Sequence, residues 1–324
     1  MPWKQGQRLH LVAPEEACPE AAEVFAEMMS ALGVPFIDKL HQAYAVSPAF
    51  LEAHWAQVRK IVAAKQFFSC ADRLGADAYT RAHSYLAVSD IGSELSSATV
   101  SEASRQEIRT MVDLFSRSAT YSLLLCSWQR RAFEGPVGRD LEKVRMAAPV
   151  KDVPLPIIMT DDAIPENTRK TLEEIRKLCG APALDMFYIA MARWPDLLRE
   201  FWKPMQVEMA SPMYYHSQQA ILEYSEQLCD ELPGPLELTT VQLLDFMDDD
   251  EIGSMVRITE AFERGLSALV LNVAWMQIGL EGGNAGSKAK SARSSSSAAP
   301  ECAPARPPTF SPSRGSRRAC SPAE

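Results

Sequence analysis

The stretch GAPALDMFYIAMARWPDLLREFW, residues 180–202, decides the fold, because an earlier stretch of the chain has nearly the same pattern. Residues 33–55 read GVPFIDKLHQAYAVSPAFLEAHW, at an offset of 147 without a gap, and eight of the 23 positions are identical. The shared positions are Gly33/Gly180, Pro35/Pro182, Asp38/Asp185, Ala43/Ala190, Ala45/Ala192, Pro48/Pro195, Leu51/Leu198 and Trp55/Trp202. Repetition at one fixed spacing indicates that one structural unit occurs twice.

A second block of matches keeps this spacing further along both copies. The pairs are Phe115/Phe262, Arg117/Arg264, Trp128/Trp275 and Glu134-Gly135/Glu281-Gly282. We therefore predict a first helical repeat at residues 1–135, a linker at 136–167 and a second helical repeat at 168–283. The linker contains five prolines, which a helix interior does not tolerate; they are Pro136, Pro149, Pro154, Pro156 and Pro165.

The pattern within each repeat predicts helices. Ser47-Pro48 suits a helix start, since serine is a good N-cap and proline fits the first helical position. Apolar residues then recur at helical spacing through Trp55, Val58 and Ile61, and we find no alternating run typical of a strand. We expect a polar connection at 90–104, then one or two helices over 105–133. The acids at 248–251 are expected to cap a helix, since a calcium loop would need alternating ligands and a glycine.

Charge and composition exclude several classes of protein. The whole chain carries −9, but residues 284–324 hold seven cations and two anions, so the remainder carries −14. An acidic body does not attract nucleic acid. No apolar run approaches the roughly 20 residues of a membrane span. We predict that the Ser/Ala/Pro/Arg-rich segment 284–324 is a disordered tail. Seven cysteines without a C-x-x-C pair indicate reduced thiols in a cytoplasmic protein.

The motifs of common catalytic sites are missing, which leaves the duplicated aspartates as candidates. We find no dinucleotide or phosphate loop, no G-x-S-x-G, and no histidine spacing for a metal. Asp38 and Asp185 each precede a short helix that they could cap. The apolar neighbours of Asp185 would raise its pKa, whereas Lys39 and His41 would favour a charged, structural Asp38.

The doubled unit, the MARWPDLL segment and the proline-rich linker resemble the group I 2-haloacid dehalogenases over residues 16–283. The resemblance implies an all-α fold in which two tandem repeats form a pseudo-dimer, with the active site in the cleft between them. It implies cofactor-free hydrolysis of small 2-halo carboxylic acids by direct attack of water, with Asp185 as the base. The resemblance also implies substrate-binding roles for four residues, which are Phe36, Leu184, Trp194 and Ser116.

Two points stay open at the level of sequence. One alternative to the enzyme is a non-catalytic helical scaffold or ligand-binding protein that uses the same cleft, because a fold does not determine a function. A homodimer is compatible with the resemblance, but nothing else in the sequence requires one. The four paired tryptophans, Trp55, Trp128, Trp202 and Trp275, are expected in the core rather than in the site.

Overall fold

The computed structural model describes residues 9–97, 100–140, 145–147, 158–159 and 163–284. These residues form helices and isolated bridges, with no strand among them, which confirms the predicted all-α class. The described residues of the first half form a 3-10 turn and six helices, which are Pro14–Glu16, α1 (Pro19–Leu32), α2 (Lys39–Tyr44), α3 (Pro48–Val62), α4 (Lys65–Tyr85), α5 (Ile91–Ser97) and α6 (Glu102–Ala132).

The second half repeats this order with one constant offset. Its helices are α7 (Glu166–Cys179), α8 (Met186–Met191), α9 (Pro195–Met209), α10 (Pro212–Cys229), α11 (Thr240–Leu243) and α12 (Asp249–Leu280). The first residues of α7, α8, α9, α10 and α12 follow those of α1, α2, α3, α4 and α6 by 147 residues. A duplicated unit would give this correspondence, and the duplication itself stays a prediction.

Local sequence signals account for several helix ends. Gly33 ends α1 with a φ of 62°, a left-handed conformation that glycine adopts without a Cβ penalty. Asp248 and Glu251 form a capping box at the start of α12, each side chain accepting the other residue's backbone N–H. The expectation that these acids cap a helix is thus confirmed.

The expected connection at 90–104 is wrong in part, because it contains α5 and the first residues of α6. The Asp90 side chain accepts the backbone N–H of Ser93 at 2.8 Å and so caps the short helix. Gly92 allows α5 to approach the end of α12, since a Cβ there would lie 2.6 Å from the Leu280 carbonyl oxygen. From Glu102 onward α6 is one helix, not two.

The two long helices, α6 and α12, pack against each other at the centre, and the shorter helices surround them. The tryptophans predicted to be core are buried, with Trp55, Trp128, Trp202 and Trp275 at 4%, 0%, 3% and 0% exposure. The Tyr44 and Thr259 hydroxyls are 2.7 Å apart and join the two halves inside this core. Among the described helices we find none with the length and apolar content that crossing a membrane requires.

The described parts of the linker are tied to both halves by backbone hydrogen bonds. Lys65 donates to the Arg145 carbonyl and Ala147 to the Ala63 carbonyl, both at 2.8 Å. Val137 exchanges two bonds with Leu236, at 3.0 and 3.1 Å. This pairing holds the linker against the α3–α4 junction on one side and the segment after α10 on the other.

The compact unit of the chain extends from Met1 to Gly286, and Ser287–Glu324 forms a separate unit. The predicted tail therefore lies outside the described residues, except for Asn284. That side chain is 5% exposed. It accepts the Val88 backbone N–H at 2.9 Å and donates to the His83 carbonyl at 2.6 Å, so the described chain ends at an anchored residue.

Candidate functional site

Asp185 lies in a recess, named here the Asp185 recess, between the first turn of α8 and the middle of α12. Its cavity volume for a water-sized sphere is about 20 Å³, which is room for about one water molecule. The walls are mainly apolar and include two cations, Lys39 and Arg176. The lining residues are Lys39, Ile175, Arg176, Cys179, Ala181, Ala183, Leu184, Asp185, Tyr188, Phe262, Gly265, Leu266 and Leu269. Lys39 is the contribution of the first half.

The surroundings of Asp185 raise the pKa of its carboxyl. The side chain caps α8 by accepting the Phe187 backbone N–H at 2.9 Å. Burial raises the pKa of Asp185 to about 6, against the lowering effect of this hydrogen bond; the charge of Asp38 adds to the rise and Lys39 opposes it. A carboxylate with such a pKa is ionised at neutral pH and can still accept a proton there. The predicted rise in pKa is confirmed.

A buried polar network lies against the same recess. The Tyr214 hydroxyl donates to Asn272 Oδ1 at 2.7 Å, and Asn272 Nδ2 donates to the Tyr188 hydroxyl at 2.8 Å. Cys179 Sγ lies 3.8 Å from the same hydroxyl. The network fixes one polar atom, the Tyr188 oxygen, in an otherwise apolar region.

Asp38 lies in a second recess of similar size, the Asp38 recess, at the start of α2. Its cavity volume for a water-sized sphere is also about 20 Å³, and its lining residues are Met28, Met29, Leu32, Val34, Phe36, Ile37, Asp38, His41, Ser118, Tyr121 and Ser122. Most of these positions precede a lining residue of the Asp185 recess by 147 residues. The two recesses are thus equivalent in place but not in side chains.

Hydrogen-bond donors occupy both oxygens of Asp38. Oδ1 accepts the His41 backbone N–H at 2.9 Å and lies 2.7 Å from His41 Nδ1, while the Ser122 hydroxyl donates to Oδ2. Burial would raise the pKa of Asp38, but the charge of His41 and these hydrogen bonds outweigh burial and lower the pKa to about 2. The arrangement is that of a structural ion pair, as the neighbours of Asp38 in the sequence indicated.

The polar chain continues from His41 into the core of the first half. His41 Nε2 lies 3.3 Å from His54 Nε2, and His54 Nδ1 lies 2.7 Å from Gln129 Oε1. Burial lowers the pKa of His54 to about 3, with the charge of His41 acting in the same direction. A neutral imidazole can then relay hydrogen bonds between the ion pair and the amide without adding a second buried charge.

The structure brings together only part of the predicted site. Asp185 and Leu184 line the Asp185 recess, whereas Phe36 lines the Asp38 recess. Trp194 lines a third cavity, of about 250 Å³, beside α5 and α9. The Ser116 hydroxyl donates to Gln277 Oε1 at 3.3 Å and lines none of these three cavities. The roles of these residues stay predictions.

Sequence reasoning missed the wall that α12 supplies and the network behind Tyr188. Asn272 could have been found, because it is a lone amide in the apolar run LSALVLNVAW of residues 266–275. A single buried amide in such a run needs hydrogen-bond partners. No comparable signal marks Leu266 or Leu269, which are ordinary core residues. Among the described residues, no group of three or more His, Cys, Asp or Glu side chains is arranged to hold a metal ion.

Known proteins resemble this chain in sequence and in fold. The family model described as halocarboxylic acid dehydrogenase DehI matches residues 35–185. An (R)-2-haloacid dehalogenase of Rhizobium sp. (strain NHG3) is 24% identical, over 69% of this chain and 89% of that protein. An (R)-2-haloacid dehalogenase of Pseudomonas putida is 20% identical, over 81% of this chain and 89% of that protein.

Two solved structures share the fold. The complex of D-2-haloacid dehalogenase with L-LA has a TM-score of 0.80 and 17% identity, covering 86% of this chain and 100% of that one. The complex of a D-2-haloacid dehalogenase mutant with D-2-CPA has a TM-score of 0.80 and 18% identity, covering 86% and 98%. The chain is therefore similar to 2-haloacid dehalogenases in sequence, and it has the fold of the D-2-haloacid dehalogenase structures.

Proposed function

We propose that the protein hydrolyses small 2-halo carboxylic acids, with Asp185 as the base that activates water. The observation that carries the proposal is the Asp185 recess, where a carboxylate with a raised pKa faces room for about one water. The substrate class comes from the relatives, which are named as (R)-2-haloacid dehalogenases.

The reaction is a single displacement. The water oxygen attacks C2 of the substrate, the carbon–halogen bond breaks, the halide leaves with the bonding electrons, and Asp185 takes a proton from the water. Water, substrate and one carboxylate balance the step without a cofactor. The base contributes by accepting the proton as the bond forms, and the recess contributes by holding the water in one orientation.

The charges around the recess suit an anionic substrate. Lys39 and Arg176 are the cations among the lining residues. Arg176 is paired with Glu173 at 2.7 Å, whereas the charge of Lys39 acts on Asp185 itself, which makes Lys39 the better candidate to attract the substrate carboxylate. Lys39 Nζ also donates to Gln42 Oε1 at 3.0 Å, which fixes its position beside the start of α2.

The experiment is halide release from 2-chloro and 2-bromo acids, both enantiomers, by the wild type, Asp185→Asn and Asp38→Asn. Asparagine keeps the helix cap but cannot take the proton, so we expect Asp185→Asn to abolish release and remain folded. Asp38→Asn is the matched control at the equivalent position, and it should lower stability more than rate. Activity that survives Asp185→Asn would rule out the proposed base.

Failure of the wild type on every acid of the panel would instead favour the scaffold or ligand-binding alternative.

We further propose a cytoplasmic location, which the unpaired cysteines support. Five of the cysteines are described, and all five are free thiols. A homodimer is supported by the family resemblance alone. Light scattering of the purified chain tests it directly.

A further inference from the structure

The second half of the protein contains a polar network that the proposed reaction has not yet used. Tyr188, Asn272 and Tyr214 are buried, with exposures of 3%, 0% and 3%. Three buried polar side chains destabilise a core unless they bond to one another. Here Tyr214 bonds to Asn272 and Asn272 bonds to Tyr188, and Tyr188 is a lining residue of the Asp185 recess.

The direction of these hydrogen bonds determines where the Tyr188 proton can go. Tyr214 donates to Asn272, and Asn272 donates to the Tyr188 oxygen. The Tyr188 O–H is therefore directed to a different acceptor. Among the described residues its other polar neighbour is Cys179 Sγ at 3.8 Å, a weak acceptor that lines the same recess. Burial raises the pKa of Tyr188, so the phenol keeps its proton at neutral pH.

Tyr188 and Asp185 lie close to each other in the first turn of α8. Asp185 is the N-cap and Tyr188 follows three residues later, a spacing that places two side chains on one side of a helix. Both line a recess with room for about one water. A water there can donate to the Asp185 carboxylate and accept from the Tyr188 hydroxyl, which leaves one lone pair for the substrate carbon.

The first half has no equivalent of this network at the corresponding positions. The residues 147 positions before Tyr188, Asn272 and Tyr214 are His41, Leu125 and Phe67. His41 is bonded to Asp38, and the other two side chains are apolar. The hydroxyl donor therefore accompanies only the aspartate with the raised pKa.

We propose that Tyr188 is a positioning residue for the hydrolytic water, with its oxygen held in place by the Asn272 amide. The inference rests on the proposed function and extends it. Two fixed partners restrict the water to one orientation, and loss of orientation lowers the rate of the chemical step rather than the affinity for substrate.

The test compares Tyr188→Phe with Tyr214→Phe in the full-length chain, with halide release from 2-chloropropanoate as the measurement. Each variant removes one hydroxyl from the same network, but only the first removes it from the recess. We expect Tyr188→Phe to lower kcat by roughly 10- to 100-fold with KM within about twofold. Tyr214→Phe should lower kcat by less than about threefold, with a similar loss of melting temperature.

Equal effects of the two substitutions on kcat, or an unchanged kcat in Tyr188→Phe, would overturn the positioning role. Should Tyr188→Phe not fold, Asn272→Leu introduces the side chain of the equivalent position Leu125 and frees the Tyr188 hydroxyl. It should lower kcat without raising KM, and an unchanged kcat would again overturn the role. Asp185→Asn in the same assay separates the two proposals. Halide release by that variant would contradict the role of Asp185 as the base, but it would not contradict the positioning role of Tyr188.

Discussion

Asp38 and Asp185 begin equivalent short helices, yet their surroundings move their pKa values in opposite directions. For Asp38 the nearby His41 and the Ser122 hydroxyl outweigh burial, and the pKa falls to about 2. For Asp185 burial outweighs one backbone N–H, and the pKa rises to about 6. One position of the repeat is thus a stable anion, and the other accepts a proton near neutral pH.

The raised pKa of Asp185 predicts the pH dependence of the rate. Only the ionised carboxylate can act as a base, so kcat/KM should fall as the pH drops through about 6. Lys39 lowers this pKa. Replacing Lys39 with methionine, the residue at the equivalent position 186, should therefore move the acid limb of the pH–rate profile to higher pH, and it should raise KM. A pH–rate profile of both proteins measures this. An acid limb that stays in place would show that Lys39 does not act on Asp185.

The same two pKa values predict opposite effects on stability. In the folded protein the pKa of Asp185 is above its ordinary value of 3.8. Its contribution to the stability of the fold is therefore present below pH 3.8 and is lost as the pH rises through about 6. Asp185→Asn should therefore melt a few degrees higher than the wild type at pH 8, with the difference gone by about pH 4.

Asp38 has a folded pKa below its ordinary value of 3.8. Its contribution, roughly 2 kcal/mol, is present above pH 3.8 and lost as the pH falls towards 2. Asp38→Asn should melt lower than the wild type at pH 7, with the difference closing in acid. Thermal melts of both variants from pH 3 to 8 check the two signs, and curves of the same sign would contradict the assignment.

Among the elements, α9 is held in the core by Trp202. The side chain is 3% exposed, and its Nε1 has no hydrogen-bond partner among the described residues. Its contribution is therefore apolar packing. Trp202→Ala should cost roughly 3–5 kcal/mol of unfolding free energy, measured by denaturant titration. Trp202→Phe, which removes no hydrogen bond, is the control and should cost clearly less; a midpoint unchanged by alanine would show that the site is not packed.

Helix ends were predictable where one residue type determines them, and not elsewhere. Gly33, Pro48 and the acids at 248–251 mark ends by backbone conformation, a missing N–H or a capping bond, all of which are local properties. Helix α5 was not predicted, because its sequence is Ile-Gly-Ser-Glu-Leu-Ser-Ser and its stability comes from contact with α12. Such tertiary contact overrides a weak local preference.

Across the whole molecule, the repeat predicted the helical fold and the two aspartates, but not the composition of their recesses. Equal spacing gives equal positions for Asp38 and Asp185, and Asp185 and Leu184 line the same recess. The partners that distinguish the halves, Ser122 with Asp38 and Tyr188 with Asn272, lie 84 residues apart in each pair. Contacts at that separation follow from packing, which a sequence pattern does not specify.

The end of the described chain gives a prediction for the whole molecule. Asn284 bonds to Val88 and His83, and the compact unit ends at Gly286. A chain truncated after Gly286 should keep the melting temperature of the full chain. One truncated after Gly283 loses three hydrogen bonds and should melt a few degrees lower. Calorimetry of the two truncations measures the difference, and equal melting temperatures would show that Asn284 is not an anchor.

The last described helix, α12, contacts α2, α4, α5 and α6 of the first half and supplies one wall of the Asp185 recess. A ribosome releases the chain from its N-terminus, so these contacts form only after almost all of the described residues have been translated. Until then the nascent first half exposes the apolar faces of α4 and α6 that α12 will cover. Exposed faces of this kind bind chaperones and aggregate, and we therefore expect the yield of active protein in a cell to depend on chaperone supply during synthesis.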